Sequence, residues 1–272
     1  MSWADKVIAN PMGYARAILF PRARDAFRHY MEVSGSSPQL PVCICPEMAA
    51  LAPRNLIDTD WTGLSPGTQM YGYRVDHSED LDLDPLATGW FREPSNEHRI
   101  ISLGRHKILP LTGGGVFCTN NLDLADELAE RSFFPGGEVY AEKIQAVFAR
   151  MEEVVYSRFI LIDLWDRYLG DLLERIPREQ AMPWRVMRQC PGSKRPALIK
   201  ALRAMGIAVS VNYQPSPLAR GDRYYPNAMK WGDTVINFPI GSGLENVADK
   251  DYERYVYRAI SVIYTALTSN SG

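Results

Sequence analysis

Histidine and cysteine are scarce in this chain, with four of each among 272 residues. Cys43, Cys45, Cys118 and Cys190 are too few and too scattered for a disulfide framework and read as reduced, mostly buried thiols. Cys43 and Cys45 form a Cys-x-Cys pair, but no second pair or nearby histidine completes a zinc site, so no metal is expected. Long apolar runs are missing too: nothing approaches the roughly 18 uncharged residues of a membrane span. The first residues, MSWADKVIANPMGYAR, lack the charged, apolar and small-residue order of a signal peptide. There is no excess of charge of one sign, the formal net charge being −2, and no partnership with nucleic acid or membrane is expected. No internal repeat is visible. The remaining composition, 46% hydrophobic and 23% charged, is that of a soluble globular protein expected in the cytoplasm, with length for one large or two ordinary domains.

The pattern along the chain alternates. Ala17-Ile-Leu-Phe20 reads as a strand leading into a helix, with Pro21 suited to the first helical position and Ala26, Phe27, Tyr30 and Met31 recurring at helical spacing. Pro41 to Cys45 and Asn55 to Asp60 read as short strands, residues 61–74 as loop, and Val75 to Leu81 as a strand end carrying acidic groups. Beyond Asn121 the character turns helical, first over Leu122, Leu124, Ala125 and Leu128, then in one long helix from about Glu142 to Ile176. Trp184 to Met187 is a further expected strand, followed by a helix capped by Ser193 that ends at Met205 with Gly206 in the left-handed position. Strands at Ile207–Tyr213 and Val235–Phe238 and a last helix from about Asp249 complete the reading. Strands alternating with helices predict a largely parallel sheet, with functional loops at the carboxyl ends of its strands.

One segment carries most of the chemistry. Ser102-Leu-Gly-Arg-His-Lys107 is followed by Gly113-Gly-Gly115-Val-Phe-Cys-Thr119, with apolar runs at Ile100-Ile101 and Val116-Phe117 that predict two strands joined by a turn-rich loop. A lysine held by such a backbone can be a Schiff-base nucleophile where its surroundings favour the neutral amine. The alternative is an ordinary hairpin lysine whose glycines serve only the turn. Asp76, at a strand end, and Ser102 add a carboxylate and a hydroxyl, the groups that pyridoxal 5′-phosphate requires beside its lysine.

These residues resemble the DegT/DnrJ-type sugar aminotransferases, a pyridoxal-phosphate family of the aspartate-aminotransferase fold (fold type I). Arg74-Val-Asp76-His-Ser-Glu79 is similar to the family's acidic strand end, and Ser102 to Lys107 with Gly113 to Asn120 to its Ser–Lys–Gly-Gly motif. Phe20-Pro-Arg-Ala23-Arg24 resembles the phosphate-cradling turn, Asn55 to Asp60 a central strand, Ala197 to Tyr213 a C-terminal helix and strand, and Asn237 to Gly241 the strand and turn near the end. The resemblance implies an α/β fold with a shortened large domain and a small C-terminal α/β domain: residues 1–140 would bind the cofactor, and 141–272 would form a long connecting helix and the small domain. It implies Lys107 as the catalytic lysine, Asp76 on the ring nitrogen, Glu79 beside it, and Ser102, Arg24 and Ala23 around the phosphate; read from the residues themselves, His106 flanks the site as a proton shuttle or a polar loop residue, and Asn212 and Tyr213 line a substrate pocket or pack at a strand edge. It further implies small-molecule substrates, an amino acid (glutamate in this family) and a ketosugar nucleotide or other ketone, handled by a homodimer with its site at the interface.

Departures from the pattern are as plain as the likeness. Only 15 residues lie between Asp60 and Asp76, where the family places one or more helix–strand units. Arg22-Ala23 replaces the usual small hydroxyl and glycine residues of the phosphate turn, and Cys45 stands where an aromatic stacks on the cofactor ring. Glu138 aligns with an asparagine that reaches phosphate across the dimer, and a carboxylate there repels phosphate. A second reading is therefore a degenerate member that keeps the scaffold as a binding or partner subunit; a third is a different pyridoxal reaction.

Overall fold

A computed structural model of the chain describes residues 2, 4–35, 40–41, 50, 56–57, 68–70, 73–75, 83–86, 89–90, 98–104, 111, 113–132, 137–170, 172–176, 182–183, 185–211, 225–241 and 251–269. After a π-helical turn at Asp5–Ala9 and a 3-10 turn at Asn10–Met12, strand β1 (Arg16–Phe20) leads into helix α1 (Ala23–Ser34). Short strands follow: β2 (Leu40–Pro41), β3 (Leu56–Ile57), β4 (Thr68–Met70), β5 (Tyr73–Val75), β6 (Leu83–Leu86) and β7 (Gly89–Trp90). The hairpin strands β8 (His98–Ser102) and β9 (Gly115–Thr119) precede helices α2 (Leu122–Arg131), α3 (Gly137–Ala149) and α4 (Met151–Leu169). The second half adds β10 (Glu174–Arg175), β11 (Met182–Pro183), β12 (Arg185–Gln189), α5 (Arg195–Ala204), α6 (Pro226–Thr234), β13 (Val235–Pro239) and α7 (Tyr252–Thr268). No helix among the described residues is long and apolar enough to cross a membrane.

The main sheet runs β1-β9-β8-β6. β6 and β8 are parallel, whereas β9 is antiparallel to both β1 and β8. Three strands thus share one direction, as expected of an alternating pattern, and β9 reverses because a hairpin joins it to β8. A second sheet, β10-β12-β13, is antiparallel throughout. Residues 68–70 and 73–75, read as loop and strand end from composition, pair as an antiparallel hairpin with Thr68 opposite Val75.

Several boundaries differ from the sequence expectations for identifiable reasons. Helix α1 starts at Ala23, two residues after Pro21, because Arg22 is extended (φ −150°, ψ 153°). The single long helix is two helices: Arg150 leaves helical geometry (φ −99°, ψ 9°) between α3 and α4, and α4 stops at Leu169 before Gly170. Helix α5 is flanked by Lys194 rather than capped by Ser193, while Gly206 adopts the left-handed φ of 78° that its position demanded. Residues 207–211 make no strand; Ser210 forms a lone bridge with Asn237. Cys118 and Cys190 are free, buried thiols, and burial pushes the Cys118 thiol up to about 12. Cys43 and Cys45 lie outside the described residues.

The larger of two apolar clusters joins both halves of the chain, with Ile8, Ile101 and Val116 in the same cluster as Trp165, Phe238 and Ile263. Trp165 is fully buried, packs at a tilt against the Phe238 ring (4.8 Å between centroids) and donates its indole N–H to the Pro239 carbonyl at 2.8 Å, tying α4 to β13. Two charged contacts brace this core. Asp5 accepts the Ala17 amide (2.9 Å) and the Ser2 amide (2.6 Å) and lies 3.7 Å from the Arg16 guanidinium, clipping the N-terminal turn to β1. Asp166 on α4 accepts the buried Arg188 of β12 at 2.6 Å.

Each brace yields a test. Burial disfavours the Asp5 carboxylate, but the Ala17 and Ser2 amides, the Ser2 hydroxyl and Arg16 outweigh it and hold it below the usual 3.8. A carboxylate whose folded pKa is depressed stabilises the fold above its unfolded pKa, and that contribution disappears as pH falls through the folded value. Asp5→Asn should cost about 2 kcal/mol at neutral pH, and the gap in urea midpoint to wild type should close as pH drops below 3.8. A gap independent of pH contradicts this role. Removing Asp166 alone, as Asp166→Ala, leaves the Arg188 charge buried without its carboxylate and should cost about 3 kcal/mol. The double variant Asp166→Leu with Arg188→Met should recover most of that loss, and thermal melts of both variants decide it.

Candidate functional site

The reversal of β9 brings its first residue to the carboxyl ends of both neighbours. Gly115 pairs with Phe20, the last residue of β1, and with Ser102, the last residue of β8. Arg22 then bridges Gly114, so the strand-to-helix turn lies directly on the glycines. A Cβ built on Gly115 would come within 2.4 Å of the Ala23 nitrogen, 2.5 Å of its Cα and 2.6 Å of the Arg22 carbonyl carbon. No side chain fits there. The three glycines therefore divide their work: Gly113 and Gly114 take φ values of 152° and 116°, and Gly115 lets the start of α1 touch the sheet.

Helix α1 reaches this point because its apolar face is held from the other side. Ala26, Phe27 and Tyr30 are buried, and the Tyr30 ring stacks on Phe117 of β9 at 5.5 Å. Tyr30 also meets the edge of His98 at 5.5 Å, and His98 Nδ1 lies 2.7 Å from the Thr119 hydroxyl oxygen. Aromatic contacts along β8 and β9 thus aim the helix at its start toward the glycine turn.

That start carries no side-chain cap. The Asp25 and Ala26 amides bond back to the Arg22 carbonyl at 3.0 and 3.3 Å, which leaves the Ala23 and Arg24 amides as the leading donors of the helix. The positive end of the helix dipole and the half-buried Arg24 lie in the same turn. Half-buried Ser102 presents its hydroxyl from the β8 end. A Cβ on Gly113 would meet nothing within 4 Å, so there is open space beside the turn. Two leading amides, a guanidinium, a hydroxyl and open space fit a phosphate group.

The loop after Ser102 is closed at its base. The Leu103 amide donates to the Gly114 carbonyl at 3.0 Å and the Leu111 amide to the Leu103 carbonyl at 3.1 Å. Leu103 is fully buried, and Leu103 and Leu111 both pack in the large core. Lys107 is equidistant in sequence from these two residues, four positions from each.

Of the sequence-derived site residues, Ser102, Ala23 and Arg24 are brought to the glycine turn. Lys107, Asp76, Glu79, Cys45, His106, Asn212 and Tyr213 lie outside the described residues. Glu138 is the second residue of α3. Sequence reasoning missed the steric role of Gly115, since a glycine needed for close approach looks the same as a turn glycine. It also missed Arg158, whose buried guanidinium lies against Gly241 (a Cβ there would sit 2.3 Å from Nη1) and donates to the Ile240 carbonyl at 3.4 Å. Burial lowers the Arg158 pKa to about 10, with Tyr252 opposing the shift and the neighbouring Arg185 adding to it. The turn glycine at 241 was its only sequence signal.

No protein-family model matches this sequence, and a search of curated proteins finds no match. Solved structures do match in fold. A DegT DnrJ EryC1 StrS aminotransferase from Brucella abortus superposes with a TM-score of 0.73 at 17% identity, over 97% of this chain and 89% of that one. The sugar aminotransferase CalS13 from Micromonospora echinospora gives 0.68 at 17% identity, over 94% and 89%. A Bacillus subtilis structure, ntda with bound cofactor PMP, gives 0.68 at 15% identity, over 94% and 76%. The chain thus has the aspartate-aminotransferase-like α/β fold of these aminotransferase structures.

Proposed function

We propose that this protein is a pyridoxal-phosphate-dependent aminotransferase of the DegT/DnrJ type. It would move an amino group from an amino acid, glutamate by family resemblance, to a ketosugar nucleotide or related ketone. The observation that carries this reading is the convergence of the uncapped start of α1, Ser102 and the closed base of the Lys107 loop on Gly115. The fold adds support, since a structure that superposes on 94% of the chain is described with bound PMP.

When bound, the cofactor supplies an electron-accepting ring that acidifies the Cα–H of the amine attached to it. The remaining work falls to side chains. The Ala23 and Arg24 amides, the Arg24 guanidinium and the Ser102 hydroxyl hold the phosphate end. Asp76 would keep a proton on the ring nitrogen, Glu79 would join it in the cofactor site, and Cys45 holds the sequence position at which the family stacks an aromatic on the ring. The free amine of Lys107 would take the proton from the donor Cα and return it, across the intervening nitrogen, to the cofactor carbon bonded to that nitrogen, a 1,3-shift that one base can make from one position. Asn212, Tyr213 and His106 contact the substrate. Residues 1–140 form the cofactor part and 141–272 the connecting helices and small domain, in a cytoplasmic homodimer with its site at the interface.

Glu138 favours a second reading, a scaffold that has lost transamination, because a carboxylate in place of the asparagine repels phosphate. One titration separates the two. Adding pyridoxal phosphate to wild type should raise a near-visible absorbance band that borohydride reduction fixes on Lys107. Lys107→Ala should lose the band and lower turnover by about 10²–10⁴-fold. Absence of saturable binding to wild type favours the scaffold, and a label on another lysine removes Lys107 from its role.

A further inference from the structure

We propose that Gly115 is a positioning residue for the phosphate end of the site, resting on the cofactor assignment above. Its missing side chain sets the distance between the start of α1 and the Ser102 end of β8. The atoms that a Cβ would strike are the Ala23 nitrogen, the Ala23 Cα and the Arg22 carbonyl carbon, at 2.4 to 2.6 Å. All three are backbone, so no rotamer change can relieve the clash. To restore even the 3.4 Å of ordinary contact, one side must retreat by about 1 Å.

The structure also decides which side retreats. β9 is held by five-residue registers on both flanks, with β1 and with β8. The hairpin beyond it is closed by the Leu103 to Gly114 and Leu111 to Leu103 hydrogen bonds. The start of helix α1, by contrast, follows Pro21 and the extended, exposed Arg22, whose single bridge to Gly114 yields more readily than two five-residue ladders, while the Tyr30 contacts hold the helix two turns further on. A side chain at 115 therefore displaces the helix start and leaves the Ser102 hairpin in place. The Ala23 and Arg24 amides would move away from Ser102, and hydrogen bonds to a shared phosphate would lengthen past their useful range. The Lys107 loop, on the hairpin side, would be unaffected.

This predicts a defect selective for phosphate. Pyridoxal phosphate and phosphate-free pyridoxal are titrated by absorbance against wild type, Gly115→Ala and Gly35→Ala. In Gly115→Ala the Kd for pyridoxal phosphate should rise about 10- to 100-fold, while that for pyridoxal stays within about twofold. Gly35→Ala is the control at the other end of the same helix: its φ of 67° strains any side chain and nothing lies within 4 Å. It should lower the melting temperature and leave the ratio of the two affinities unchanged. A wild-type ratio in Gly115→Ala overturns the proposal, as does an equal loss for both ligands. If Gly115→Ala fails to fold, Pro21→Gly, which loosens the same helix start, carries the test. Its affinity ratio should fall at least about threefold, and an unchanged ratio overturns the proposal. Failure of wild type to bind either ligand overturns the cofactor assignment and this inference with it, an outcome distinct from the others.

Discussion

Everything near the candidate site hangs on β9 being paired on both sides at once. All five of its residues are buried, and each has a partner on β1 and another on β8. A strand in that position has no freedom of register, since a shift by one residue would turn Val116 and Cys118 out of one core cluster and Phe117 out of the other. With the register set, the ends of β1 and β8 must stand level with Gly115. The helix start, the serine and the loop base meet there as a consequence of sheet geometry, and no single strong interaction is needed to gather them.

The second half of the molecule solves a different problem, that of carrying charge inside. Arg188 is compensated by Asp166, and Arg158 is accommodated by stacking on a glycine and donating to a backbone carbonyl. Both lie close to the Trp165 contacts that tie α4 to β13. The same apolar cluster reaches from Trp165 to Ile101 and Val116 of the hairpin, so the two halves share one interior.

Much of this was readable in advance, and what was not had physical reasons. The β8–β9 hairpin announced itself through apolar pairs on either side of a glycine triplet, and Gly206 through its place after a periodic helix. The order of the strands across the sheet did not, because alternation of residue types is the same whichever strands are neighbours. The break at Arg150 is invisible to periodicity, since the apolar spacing continues across it and no proline or glycine marks it. Ile207 to Val211 has strand-like composition, yet only Ser210 pairs with β13, because the Ala208 amide bonds to the Tyr255 hydroxyl and the Ala208 and Val209 carbonyls accept from Arg185 and Arg203 instead. In the candidate site, resemblance singles out Ser102, Ala23 and Arg24, and the structure brings all three to the glycine turn. Their meeting point was not legible in the sequence, since a steric requirement for glycine at 115 leaves no trace different from a turn.

The pairing of β1 with β9 also bears on the order in which the molecule is assembled. Arg16 faces Thr119, so residues roughly 100 apart in sequence must come together before β1 has its ladder, and among the described residues β1 has no other strand partner. Closing a loop of that length is entropically slow compared with forming the local β8–β9 hairpin. During synthesis β1 must therefore wait for this ladder until residue 119 has left the ribosome. The hairpin made last in that stretch becomes the template on which β1 folds.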